Sequence, residues 1–155
     1  MKINLIAIGS KMPEWVKTGF SEYQRRLTQD CKLNLHEIPA IKRTKQTDLN
    51  KVREIEGQKI LTSIPSGNFV IALEVNGKNW STEALSQQMS QWMLSGQDIS
   101  LLIGGPEGLS QSCRDKADQL WSLSPLTLPH PLVRIIVAEQ LYRAWSILKN
   151  HPYHR

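Results

Sequence analysis

Short apolar runs alternate along the chain with longer segments whose apolar residues recur every three or four positions, the first pattern predicting strands and the second helices. Lys2 to Ile8 reads as an opening strand that ends at Gly9. Pro13 then opens a helix expected to reach about Gln29, with Trp15, Val16, Phe20, Tyr23 and Leu27 at helical spacing, a stripe that reads first as core-facing, with a base-stacking surface of Trp15, Phe20 and Tyr23 as the alternative. Lys32 to Ile38 alternates as a second strand. Asp48 is placed to cap a helix to about Ser63, and Pro65-Ser66-Gly67-Asn68 marks a turn. Phe69 to Leu73 carries no polar side chain and is expected at the centre of a sheet, followed by a loop from Glu74 to Trp80. Ser81, with Glu83 in the first turn, starts a helix to about Leu94 that stops at Gly96. Ile99 to Ile103 is a further buried strand, Ser110 caps a helix to about Ala117, and Leu120 to Leu123 suits a short strand. Strand and helix in repeated alternation predict one α/β domain over residues 1–155, a mainly parallel sheet with helices on both faces.

Two breaks in this alternation carry chemistry. The strand at Ile99 runs into Gly104-Gly105-Pro106-Glu107-Gly108, where the backbone can turn tightly and approach a ligand. Strand, glycine turn and helix in that order place a ligand at the carboxyl end of a sheet. The spacing is neither that of a dinucleotide fingerprint nor that of a Walker loop, and a plain strand-to-helix turn would look the same. Further on, Pro125, Pro129 and Pro131 bar a helix from Ser124 to Pro131 and predict a stiff extended loop. Its carbonyls and amides need partners, which either a neighbouring loop or a ligand such as an adenine ring would supply.

A last helix, from Pro131 to about Lys149, carries Val133, Ile136, Val137, Leu141, Ala144, Trp145 and Leu148 as a broad apolar stripe suited to a dimer interface. Glu139 and Arg143, four apart, fall on one face, either as a surface pair or as two groups in a cleft. The chain ends His151-Pro152-Tyr153-His154-Arg155, where histidine can exchange a proton near neutral pH and arginine can hold phosphate. His151 and His154 alone make a poor metal site, so no metal is expected.

At 155 residues and 40% hydrophobic content the chain suffices for one well-filled core. No apolar stretch is long enough to span a bilayer and no leader-type cleavage pattern follows Met1, so a cytoplasmic protein is expected. Cys31 and Cys113, far apart and outside metal-ligand spacing, fit a reducing compartment and a packing role. Nineteen Lys plus Arg against fourteen Asp plus Glu leave a charge of +5 and a pI near 9.4, a tilt toward a polyanionic partner. Between Ile41 and Arg53, Lys42, Arg43, Lys45, Lys51 and Arg53 stand against Asp48 alone. That run is either a solvated face or a loop whose Lys42, Arg43 and Lys45 would contact RNA phosphates without reading sequence.

Leu101-Leu-Ile-Gly-Gly-Pro-Glu-Gly108, Leu123-Ser-Pro-Leu-Thr-Leu-Pro-His-Pro-Leu-Val-Arg134, Glu139-Gln-Leu-Tyr-Arg-Ala144 and the ending His151-Pro-Tyr-His-Arg155, with Ala7-Ile-Gly-Ser-Lys-Met-Pro13 at the start, together resemble one family. It is the RlmH family of small SPOUT-class enzymes, which methylate N3 of a pseudouridine in large-subunit ribosomal RNA. The resemblance covers the whole chain. It implies a C-terminal trefoil knot, a feature nearly absent from proteins and invisible to periodicity. It implies S-adenosylmethionine as cofactor, bound by Leu73, Gly104 and Gly105 and by Leu123, Ser124, Pro125, Leu126, Thr127 and Leu128. It also implies a homodimer with the active site built across the interface, acting on the assembled ribosome. Removal of the N3 imino proton needs a base, for which Glu139, Tyr153 and His154 are candidates. Arg143 and Arg155 would stabilise negative charge or hold phosphate. Two other readings stay open: a SPOUT enzyme acting on another nucleoside or a ribose hydroxyl, and a non-enzymatic RNA-binding module.

Overall fold

The computed structural model of the chain describes residues 1–28 and 30–155. Five strands, β1 (Lys2–Ile8), β2 (Lys32–Ile38), β3 (Phe69–Asn79), β4 (Ile99–Ile103) and β5 (Gln119–Ser122), form one sheet in the order β2-β1-β4-β3-β5. Every pairing in it is parallel. Parallel neighbours need crossovers, and four helices supply them: α1 (Glu14–Gln24), α2 (Leu49–Ser63), α3 (Thr82–Ser95) and α4 (Gln111–Lys116); a fifth, α5 (His130–Leu148), follows the last strand. A short 3-10 turn, Pro152–His154, closes the chain.

Alternation along the strands divides the interior in two. Ile3, Leu5 and Ala7 of β1 and Ile99, Leu101 and Ile103 of β4 join Phe20 of α1, Leu85 and Met89 of α3, and Val137 and Leu141 of α5. On the opposite face, Ile6, Ile8, Val70 and Leu102 pack with Ile60 of α2 and Cys113 of α4. Helices therefore cover both faces, as expected, and β4 at the centre is buried along its whole length. Ser100 stays satisfied there because Asn68 Nδ2 donates to its Oγ at 3.0 Å.

Helix starts follow the side-chain caps. The Asp48 carboxylate accepts from the Asn50 and Lys51 amides, Ser81 Oγ from Ala84, and Ser110 Oγ from Cys113.

Several boundaries differ from expectation, each for a physical reason. The first helix ends at Gln24; of its expected end, Gln29 lies outside the described residues. Lys32 N already donates to Met1 O at 3.0 Å, so the residues after Gln24 are spent on the return to the sheet. Trp15 is 54% exposed and not part of the core stripe, because Val16 and Phe20 set the buried face and Trp15 falls beside it. Phe69 to Leu73 lies second from the edge, since β5 pairs outside it. The expected loop from Glu74 to Trp80 is largely strand: β3 pairs Leu73 with Trp121, arches away, and returns to pair Lys78 with Trp121 and Asn79 with Ser122. Gly77 permits the return, because a Cβ there would sit 2.8 Å from the backbone of Leu120 and Trp121. His130 and Pro131 belong to the first turn of α5, where a missing amide costs no helical hydrogen bond. The stripe on α5 is consumed within the chain, as Val137, Leu141 and Ala144 are buried in the core. It therefore ceases to be an argument for a dimer.

Candidate active site

Three carboxyl-end features meet at the top of the sheet: the arch of β3, the glycine turn after β4 and the proline loop after β5. Together they enclose a cleft of about 380 Å3, within the range of small-molecule sites. Leu73, Gly104, Gly105, Leu123, Ser124, Leu126, Thr127 and Leu128 line it; Pro125 does not. Gly104 has no room for a side chain, since its Cβ would fall 2.4 Å from the Gly108 carbonyl carbon. The turn closes with Gly108 N donating to Gly105 O at 2.9 Å.

The proline loop is tied at both ends, by its own serines at the start and at Pro129 O, which accepts from Leu132 N and Val133 N, at the finish. Ser122 Oγ donates to Ser124 O at 3.1 Å, and Ser124 Oγ accepts from Leu126 N at 3.0 Å. The amides of Thr127 and Leu128 have no acceptor among the described residues. A mostly apolar cleft with unclaimed backbone donors suits a flat heteroaromatic ring bearing ring-nitrogen acceptors, such as adenine. Leu126, 72% exposed, and Val75 and Leu132 leave apolar surface in and beside this opening.

From the middle of α5 onward a second constellation forms around Glu139. Arg143 Nε donates to Glu139 Oε1 at 2.7 Å, and the Tyr153 hydroxyl donates to the same oxygen at 3.1 Å. Gln140 Nε2 donates to Glu139 Oε2 at 2.7 Å. The Arg143 guanidinium lies 5.0 Å from the Tyr153 ring centre, with Arg26 over the same ring at 5.7 Å. Burial first, then hydrogen bonding with Tyr23 and Glu139, pushes the Tyr153 phenol above its ordinary value, so it stays protonated and acts as a donor.

The tail is held rather than frayed. His151 N donates to Ser146 O at 2.8 Å, and Tyr153 N donates to His151 Nδ1 at 3.2 Å. His154 Nδ1 is buried without a hydrogen-bond partner among the described residues, and Arg155 is exposed.

Val133 lines the cleft, and Glu139 is six residues further along the same helix. At the helical rise that is about 9 Å. The Glu139 cluster is thus carried away from the cleft of its own chain.

The basic loop divides. Lys42 and Lys45 are exposed. Arg43 instead turns inward, with Nε donating to both Glu107 oxygens at 3.0 and 2.9 Å and Nη2 to Glu56 Oε1 at 2.8 Å. Its charge is matched twice inside the protein, so its structural duty differs from the free phosphate contact expected of it. Sequence reading misses Glu56, 3% exposed, and also Arg134 and His130. His130 and Arg134 are four apart on one helical face, which is the available signal. Among the described residues no three His, Cys, Asp or Glu side chains are grouped as a metal site, and no helix is long and apolar enough to cross a membrane.

A family model described as "Predicted SPOUT methyltransferase" matches residues 1–154. The ribosomal RNA large subunit methyltransferase H of Hahella chejuensis is 60% identical over 155 residues, covering 100% of this chain and 99% of that protein. Among solved structures, a probable methylase family protein from Haemophilus influenzae superposes with a TM-score of 0.55 at 11% identity, over 99% of this chain and 70% of that one. A methylase family structure from Neisseria gonorrhoeae gives 0.51 at 12% identity, over 90% of this chain and 81% of that one. These two likenesses speak for the fold alone.

Proposed function

The chain belongs to the SPOUT methyltransferase family, and we propose that it methylates N3 of a pseudouridine in large-subunit ribosomal RNA, using S-adenosylmethionine. The observation that carries this reading is the cleft itself: the glycine turn and the proline loop, far apart in sequence, enclose one nucleoside-sized space. Leu73, Gly104, Gly105, Leu123, Ser124, Leu126, Thr127 and Leu128 would hold the cofactor, with the Thr127 and Leu128 amides as donors to its base. Bound there, S-adenosylmethionine supplies a methyl group made electrophilic by its sulfonium. The full-length relative named as a ribosomal RNA methyltransferase supports the substrate class.

The acceptor nitrogen carries a proton that has to leave. Glu139 and His154 remain candidates to take it; Tyr153, kept protonated, instead donates to Glu139 and fixes that carboxylate. Arg143 lies against Glu139 and would offset charge developing on the ring, while Arg155 would hold phosphate. Holding donor and acceptor in line supplies much of the rate in such a transfer.

The offset of about 9 Å along α5 supports an active site shared between two copies, in which the tail of one chain completes the cleft of the other. Apolar surface at Leu126 and Leu132 is consistent with a homodimer. Family membership also carries the expectation of a trefoil knot.

The test is complementation on ribosomes. A chain lacking Tyr153 to Arg155 should bind S-adenosylmethionine and transfer no methyl group. A chain with Gly104→Ala should lose cofactor binding. Mixed as heterodimers, the two should recover activity, each pair having one intact cleft facing one intact tail. Full turnover by the truncated chain alone would remove the tail from the reaction. Methylation of free transfer RNA in preference to ribosomes would overturn the substrate assignment.

A further inference from the structure

Arg134 is 1% exposed, and a buried guanidinium must place its donors well. Nη1 donates to Glu37 Oε2 at 2.6 Å, Nη2 to Gly9 O at 2.6 Å, and Nε to His130 Nε2 at 2.9 Å. The last contact fixes a proton. Arginine can only donate, so His130 Nε2 is bare and the imidazole proton sits on Nδ1. That nitrogen lies 3.1 Å from Gly104 O, which can only accept. One neutral tautomer therefore satisfies both neighbours.

The consequence falls on the cleft. Gly104 has the widest backbone freedom of any residue type and stands where the cofactor cradle begins. Its carbonyl direction is set from outside the turn, by a side chain on α5. The hold on that side chain reaches back through Arg134 to the ends of β1 and β2.

We propose that His130, its tautomer fixed by Arg134, is a positioning residue that presets the Gly104 peptide for the nucleoside of S-adenosylmethionine. The proposal rests on reading the cleft as the cofactor site. It predicts that loss of the imidazole weakens binding while leaving transfer from the bound state nearly intact.

Calorimetry with S-adenosylmethionine on the full chain tests it. His130→Ala should raise Kd about tenfold, ~1.4 kcal/mol. His130→Asn, with an amide donor near the Nδ1 position, should recover most of that loss, whereas His130→Gln, with its amide near Nε2, should not. In the kinetics, KM for the cofactor should rise while kcat stays within about twofold. Side-chain nitrogen spectra, assigned by the signal absent in His130→Asn, should show the Nδ1–H tautomer. A proton on Nε2, or unchanged affinity in His130→Ala, overturns the proposal. So does equal weakening in all three variants in step with their melting temperatures, which marks a role in folding alone. Failure of the wild-type chain to bind S-adenosylmethionine overturns the cofactor reading and this proposal together; normal wild-type binding separates the two failures.

Discussion

Arg43 and Glu107 lie 64 residues apart in sequence and meet as a two-pronged ion pair, with Arg43 Nε 3.0 and 2.9 Å from the two carboxylate oxygens. Glu107 is the acidic residue of the glycine turn, so this pair fastens the turn to the basic loop. The same guanidinium reaches the buried Glu56, whose Oε2 also accepts from Ile41 N at 3.0 Å. Three chain segments are joined through one side chain.

Arg43→Ala should lower stability by about 3 kcal/mol, because it leaves the buried Glu56 side chain without its ion-pair partner. Urea denaturation should show an earlier midpoint at an unchanged slope. Adding Glu56→Gln should cost less than a second full increment, since the two side chains act as a unit. Additive losses would mean that the pair is not coupled.

Lys42→Ala with Lys45→Ala should leave stability unchanged and weaken ribosome binding. For every phosphate that the double variant no longer neutralises, the logarithmic salt dependence should flatten by roughly 0.7–0.9. Binding measured across a salt series checks this. An unaltered slope would take the exposed lysines out of RNA recognition.

Tyr153→Phe keeps the ring beside Arg26 and Arg143 but removes the donor to Glu139. Stability should fall by no more than ~1 kcal/mol, the worth of one hydrogen bond. Methyl transfer, by contrast, should drop by about an order of magnitude, ~1.4 kcal/mol in barrier. Single-turnover rates on ribosomes, beside a melting curve, separate the two effects.

Burial, with Arg134 beside it, holds the His130 imidazole below its ordinary value of 6.5. The unfolded chain then binds more protons than the folded one just below that value. Stability contributed by the neutral ring is whole above pH 6.5 and is lost as the pH falls toward the depressed folded value. His130→Asn should flatten this part of the stability profile. A profile identical to that of the wild type would show that another group is responsible.

Much of the architecture is legible because period and punctuation agree. Asp48, Ser81 and Ser110 mark helix starts through bonds their own side chains make, and those starts fall where expected. The first helix reads too long because nothing local stops it after Gln24; its end is set by the distant Met1–Lys32 hydrogen bond. The arch in β3 reads as a loop because its second half pairs with β5, a partner that sequence cannot name. In the site, the glycine turn and proline loop are legible through the backbone rules of their residues. Arg43 reads as a free cation because its two carboxylates lie 13 and 64 residues away. Arg134 is hidden within an apolar stripe, where only the fold shows a guanidinium with every neighbour in place.

The placement of two centres on one helix limits how the sequence can drift. A single residue inserted between Val133 and Glu139 would turn everything beyond it by about 100° and shift it by about 1.5 Å. The tail would then face a new direction while the proline loop stayed where it was. Substitutions along this stretch can be absorbed one at a time, but a change in its length cannot. On the proposed reading of the site, helix α5 works as a gauge block, its residue count mattering as much as any side chain it carries.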